Sequence, residues 1–80
     1  MSRTDEEKTT HYVAMGDSVE IINAIIDGSK IPDATTEEKK ERVTRSVGYL
    51  KHQKDTYSDW GDKDFTVIDA AITAADNFTS

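Results

Sequence analysis

The middle of the chain has the clearest periodic pattern of apolar and polar positions. Its apolar residues recur three or four positions apart, the spacing that puts side chains on one face of an α-helix. These residues are Val43, Val47 and Leu50. Thr35 stands before the pattern and Glu38 follows three residues later, which is the spacing of a capping box at a helix start. We therefore predict an amphipathic helix over residues 36–55.

An isoleucine-rich stretch predicts an earlier helix over residues 18–27. Asp17 and Glu20 repeat the capping spacing, and Gly28 stands where a left-handed residue commonly ends a helix. A β-strand is the alternative, because isoleucine and valine favour strands. Since the apolar positions do not alternate, the pattern favours the helix.

A third amphipathic stretch completes the predicted fold. Residues 63–76 place apolar side chains three and four positions apart, and Asp62 stands where its side chain would cap this helix. Residues 1–16 are patterned more weakly, and we expect them to form a flexible or weakly ordered N-terminal segment. The sequence thus predicts an all-α protein, a small three-helix bundle over residues 17–78 with a flexible N-terminal segment.

The inward positions of the three stripes predict a shared core. They are Ile22, Ile26, Val47, Leu50, Ile68 and Ile72. Ile31 precedes Pro32, which disfavours helical backbone at Ile31, so we expect this side chain to close the bundle from a loop. Gly48 interrupts the central helix, and we expect it to let another helix approach closely.

Charge is unevenly distributed along this 80-residue chain of net charge −6. Acids outnumber bases over residues 1–35 and 55–80, whereas bases outnumber acids over residues 36–54. A basic central helix between two acidic segments suggests charge balance within the fold, although exposed ion pairs are individually worth only about 0–1 kcal/mol. Charge patterning alone does not specify a function.

Residues suited to catalysis or metal binding are sparse. The chain has no cysteine, and His11 and His52 have no second ligand at metal-binding spacing. An aspartate cluster lies at Asp55, Asp59, Asp62 and Asp64. This cluster lacks the glycine and the closing glutamate of a calcium loop, and the glycines form no phosphate-binding loop. We predict no catalytic residue, no metal and no cofactor.

The same features suggest where the protein resides. No run approaches the roughly 18 apolar residues of a membrane span, and the first residues lack the apolar stretch of a secretory signal. The absence of cysteine favours a reducing compartment. We expect a cytoplasmic protein with no membrane partner.

The exposed side of the central helix and the following loop form the candidate binding surface. Its residues are Arg42, Arg45, Tyr49, His52, Tyr57 and Trp60. Arginine and large aromatic residues are the types that protein interfaces favour as anchors. The alternative role of Tyr57 and Trp60 is a lid over one end of the bundle. Nucleic-acid binding by the basic helix is not favoured, because the whole domain is acidic.

Three segments resemble, in style, small proteins encoded by tailed bacteriophages, especially those of marine hosts. They are TTEEKK at 35–40, VTRSVGYL at 43–50 and DAAITAA at 69–75. The resemblance spans roughly residues 19–78. It implies a phage accessory or virion-associated protein, in the host cytoplasm or the virion, that binds a host or virion protein. An acidic inhibitor of a host protein's basic site and a weak nucleic-acid binder remain alternatives, and self-association stays open.

Overall fold

The computed structural model describes residues 4–80 as three packed helices. They are α1 (Asp5–Asp27), α2 (Thr36–Thr56) and α3 (Thr66–Thr79). Ion pairs join Lys51 to Asp76 and Lys54 to Asp69, so α2 runs antiparallel to α3. The His11 ring of α1 lies 5.8 Å from that of Tyr57, at the end of α2, so α1 is antiparallel to α2 and therefore parallel to α3. The predicted all-α three-helix bundle is confirmed.

Capping explains where two of the helices begin. The Thr35 hydroxyl accepts the Glu38 backbone N–H at 3.1 Å, and the Glu38 carboxylate accepts the Thr35 N–H at 3.3 Å. This is the predicted capping box, and α2 ends one residue beyond the predicted position. Thr4 and Glu7 form the same arrangement at the start of α1. Each box satisfies backbone donors that a helix start otherwise leaves without partners.

The predicted start of the first helix is wrong. Asp17 is an exposed position inside α1, and the expected boundary between residues 16 and 17 also lies inside this helix. The Asp17 and Glu20 spacing suits an exposed helix side as well as a cap, whereas Met15 extends the buried stripe backwards. Of the expected flexible segment, residues 1–3 lie outside the described residues.

The start of α3 also differs from the prediction. Asp62 does not cap the helix; Phe65 occupies the cap position and provides no side-chain hydrogen bond. Asp64 instead accepts hydrogen bonds from the Thr66 backbone N–H at 2.9 Å and the Thr66 hydroxyl at 2.7 Å. An aspartate that bonds the backbone two residues ahead forms its own turn, so the helix begins later than residue 63.

The core lies along the axis of the bundle. Its buried apolar residues are Met15, Val19, Ile22, Ile25, Val43, Val47, Leu50, Trp60, Ile68, Ala71 and Ala75. Four of the six predicted core residues are in this set, and Ile72 is half-buried against it. Ile26 is 36% exposed, so its assignment to the core is wrong, and Ile25, at 1% exposure, takes the inward position. Gln53 is also buried, and its side-chain carbonyl has no donor within the described residues.

The connection between α1 and α2 holds one unusual backbone conformation. Gly28 adopts a φ of 89° and ends α1 as predicted. Ile31 packs against the core, also as predicted, but its φ is 45°. This left-handed conformation is strained for a β-branched residue, and the proline that follows contributes by disfavouring ordinary helical backbone at Ile31.

Candidate functional site

Four of the predicted site residues share the outer side of α2, which we define as the side carrying Arg42, Arg45, Tyr49 and His52. They recur three and four residues apart, and therefore lie on one side of the helix. The buried residues of α2 occupy a different side. Arg42, Arg45 and His52 are exposed, whereas Tyr49 is half-buried and packs against the core. The helix thus presents two exposed arginines beside Tyr49, whose ring is held in place by packing against the core.

Among residues 4–80, the ion pairs of this outer side stay within α2. The Arg45 guanidinium lies 2.6 Å from the Glu41 carboxylate, one turn earlier, and both side chains are exposed. Such a pair on a helix surface is worth about 0.3–0.5 kcal/mol, so a partner can displace it at little cost. Arg42 forms no ion pair with any residue of 4–80. His52 Nδ1 lies 3.5 Å from the Thr56 hydroxyl.

A shallow depression of about 270 Å³ adjoins the two arginines. Its lining comprises Ile31, Ala34, Glu38, Glu41, Arg42 and Arg45. The strained residue of the connection therefore forms part of the wall beside the arginines. Strained backbone persists where surrounding structure holds it in place, and it is concentrated at binding sites. This depression provides an apolar patch framed by charges of both signs.

The remaining two predicted site residues, Tyr57 and Trp60, lie at and just beyond the C-terminal end of α2. Tyr57 follows Arg42 by fifteen residues, which corresponds to about 22 Å along a helix. Trp60 is 8% exposed, and its ring N–H donates to the Tyr57 carbonyl at 3.2 Å. The Trp60 ring lies 5.2 Å from that of Phe65 and 6.4 Å from that of Tyr57. The structure therefore separates these aromatics from the arginines and places Trp60 in the core, as the lid interpretation expects.

Two other bases of α2 face α3. The Lys51 ammonium lies 2.8 Å from the Asp76 carboxylate, and Lys54 pairs with Asp69. These pairs are the charge balance that the sequence suggests, and they remove two lysines from any continuous basic surface. Lys54 also borders an aromatic depression with Tyr57, Trp60 and Phe65.

No known family, curated protein or solved structure matches this chain. Within residues 4–80, no group of three or more histidines and acids is placed to hold a metal, and no helix is long and apolar enough to cross a membrane.

The aspartates before α3 instead shape the backbone. Hydrogen bonds from the Thr66 hydroxyl and backbone N–H lower the pKa of Asp64 below its usual range, because they favour the charged carboxylate. Ser29 lowers the pKa of Asp27 in the same way at the end of α1, through its side chain and its backbone N–H. Both aspartates thus stabilise the backbone turn that they adjoin.

Nothing in the fold requires glycine at two positions inside the helices, Gly16 and Gly48. A Cβ placed at Gly48 would meet nothing within 4 Å, so the predicted close approach of another helix is wrong. A Cβ placed at Gly16, in the middle of α1, would also meet nothing within 4 Å. Each glycine costs its helix about 1 kcal/mol relative to alanine. Neither has the positive φ that would call for glycine, so neither backbone conformation nor packing accounts for them.

Gly16 lies in a third surface feature, the α1–α3 groove. This groove has a volume of about 250 Å³ and is lined by Tyr12, Gly16, Val19, Glu20, Val67 and Ile68. Its position depends on the parallel packing of α1 and α3, which no local pattern in the sequence indicates. The one signal in the sequence that could have indicated this groove is Val67, an apolar residue in the first turn of α3.

Proposed function

We propose that this chain is a small, non-catalytic interaction or assembly protein that binds a partner protein through the outer side of α2. One observation carries the proposal: two arginines, a tyrosine and a histidine lie together on a side of α2 that holds none of its buried residues. Arginine and tyrosine are among the residue types that form the energetic centres of many protein interfaces.

The contacts of the individual residues support this role. Arg42 has no ion pair among residues 4–80, and the pair between Arg45 and Glu41 is exposed and weak. Both guanidinium groups are therefore available to carboxylates, which arginine binds through two parallel hydrogen bonds. Tyr49 packs against the core, so less side-chain entropy is lost when a partner covers its exposed part.

The surface also indicates the chemistry of the partner. Two arginines favour carboxylate groups, and the adjoining depression at Ile31 has room for one apolar side chain. The partner that fits is a protein surface with acidic residues beside an exposed apolar residue. Trp60 supports the fold in this proposal and does not contact the partner, because it is buried.

Charge reversal on α2 tests the proposal. The tagged chain would be used to capture its partner from the native cells, after nuclease treatment to remove bridging nucleic acid. Arg45→Glu should weaken capture by about thirtyfold, the effect of losing about 2 kcal/mol at an interface anchor. Lys30→Glu is the matched control, because it makes the same charge change at an exposed base in the α1–α2 connection.

Two further variants make the result decisive. Arg42→Glu and Tyr49→Phe should also reduce capture, the second by less because it removes only a hydroxyl. Full capture by Arg42→Glu and Arg45→Glu, with Lys30→Glu unchanged, would show that the outer side of α2 is not the binding site. Loss of capture on nuclease treatment would favour the nucleic-acid alternative.

A further inference from the structure

We propose that the α1–α3 groove is a second docking site, and that it binds a basic amphipathic helix of a partner protein. This proposal does not depend on the outer side of α2. It follows from apolar surface, open space and unpaired acids that meet at the same place.

Two valines expose apolar surface in or near the groove. Val67 lines the groove and is 64% exposed, and Val13 is 58% exposed on α1, one turn before Gly16. Because Gly16 has no side chain, the groove stays open at this turn of α1, and even an added Cβ would touch nothing within 4 Å. A glycine that the fold does not require is explained if the groove must receive a side chain from outside.

The charge around the groove selects the kind of partner. Glu20 lines the groove and Asp17 lies one turn earlier; both are exposed, and neither forms an ion pair with any residue of 4–80. Residues 9–29 and 64–80 contain no lysine or arginine. The base beside the groove is Lys63, and its ammonium lies 5.9 Å from the centre of the Tyr12 ring. Lys30 borders a neighbouring depression with these two acids, but it pairs with neither. Basic side chains on the partner would supply the missing counter-charges.

The shape of the groove favours a helix as the occupant. It runs between two parallel helices, and Tyr12 to Glu20 corresponds to about 12 Å, or roughly two helical turns. An amphipathic helix binds such a groove through apolar anchors three or four residues apart. A second copy of this chain fits less well, because each copy carries a charge of −6 and the copies repel each other.

A synthetic peptide tests the proposal directly. The probe is a short, dye-labelled peptide with leucines at i, i+3, i+4 and i+7 and lysines elsewhere; a control peptide carries glutamate in place of every lysine. Fluorescence anisotropy should show saturable binding of the lysine peptide that weakens as salt is added. The glutamate peptide should not bind. Equal binding of both peptides would overturn the charge argument.

The two unexplained glycines provide matched variants of the protein. Gly16→Leu fills the groove and should weaken peptide binding at least tenfold while raising the melting temperature. Gly48→Leu makes the same change on α2 and should leave peptide binding unchanged. Equal affinity of both variants for the peptide would overturn the proposal. If Gly16→Leu fails to fold, Glu20→Lys replaces it, since this exposed charge reversal should weaken binding by a similar factor.

The same measurements separate this site from the outer side of α2. Arg45→Glu should bind the lysine peptide as the wild type does, even if it loses its cellular partner. Gly16→Leu should keep any partner that binds through α2. Analytical ultracentrifugation of the chain alone tests whether a second copy occupies the groove. A dimer that Gly16→Leu abolishes would show that it does and would overturn the proposal.

Discussion

The two sides of α3 are held to the bundle by different interactions. Lys51 and Lys54 of α2 pair with two aspartates on one side. On the other side, the Tyr12 hydroxyl donates to the Asp64 carbonyl, and the Tyr12 ring lies 5.8 Å from that of Phe65. No ion pair joins α1 to α3 among residues 4–80. The α2–α3 contact is therefore neutralised, whereas the α1–α3 contact depends on aromatic and apolar packing.

This difference follows from where the bases lie along the chain. α1 has no lysine or arginine after Lys8, which pairs with Asp5, and α3 has none, so no ion pair forms between the two helices among residues 4–80. α2 neutralises α3 at two positions and leaves the acids of α1 exposed. A chain with one basic helix among three thus retains an acidic face, and that face includes the α1–α3 groove.

The largest expected effect is at Trp60, which packs against Phe65 at the aromatic end of the α1–α3 contact. Trp60→Ala should lower the free energy of unfolding by about 3–5 kcal/mol, because it removes a buried ring that contacts Tyr57 and Phe65. Val67→Ala, on the same contact but largely exposed, should change it by about 0.5 kcal/mol or less. Urea denaturation measures both values. A loss below about 1 kcal/mol for Trp60→Ala would contradict its placement in the core.

The next effect concerns two neighbouring isoleucines of α1. Ile25→Ala should cost about 2–5 kcal/mol because Ile25 is fully buried. Ile26→Ala should cost clearly less, since this side chain keeps about a third of its surface in water. Thermal melts of the two variants at one pH provide the comparison. Equal losses would show that α1 is rotated relative to its described position.

These isoleucines also show how far the sequence could predict the fold. Helix periodicity identified three helices, and the Thr35 capping box located the start of α2 to the residue. Periodicity could not choose between Ile25 and Ile26, because an isoleucine-rich helix offers several overlapping stripes. The choice depends on Met15, which becomes an inward position only when the helix is known to begin at Asp5.

The candidate site was predicted less completely for a related reason. The side shared by Arg42 and Arg45 follows from spacing within one helix, and spacing is readable from sequence. The burial of Trp60 and the opening at Gly16 both depend on contacts between residues that are far apart in the chain. Only packing in three dimensions determines such contacts, so residue type alone left Trp60 with two interpretations.

A smaller effect on stability is expected at the α2–α3 contact, where Lys54 pairs with Asp69. Lys54→Met should lower the free energy of unfolding by about 1 kcal/mol or less, because its partner Asp69 remains half-exposed. The difference from wild type should shrink in high salt, which screens exposed pairs. Lys30→Met, which removes a base without an ion pair among residues 4–80, should show neither effect. A loss unaffected by salt would point to packing of the lysine chain as its cause.

The smallest expected effect is an acid dependence at the start of α3. The pKa of Asp64 is lowered in the folded state by Thr66, so its stabilising contribution is present above the ordinary value of about 3.9 and is lost as pH falls through the lowered pKa. Asp64→Asn should therefore lose less stability than the wild type over this acidic range. Part of the loss of stability at low pH should remain in Asp64→Asn, because Ser29 also lowers the pKa of Asp27.

Asp62→Asn is the matched control, because it removes one exposed aspartate from the same connection without touching the Thr66 hydrogen bonds. Urea midpoints measured across the acidic range should fall less steeply for Asp64→Asn than for Asp62→Asn. Identical slopes would mean that the carboxylate of Asp64 does not hold the first turn of α3. The packing of Tyr12 against Phe65 would then have to position this end of the α1–α3 contact, since the hydrogen bond between Tyr12 and Asp64 uses the backbone carbonyl and survives in both variants.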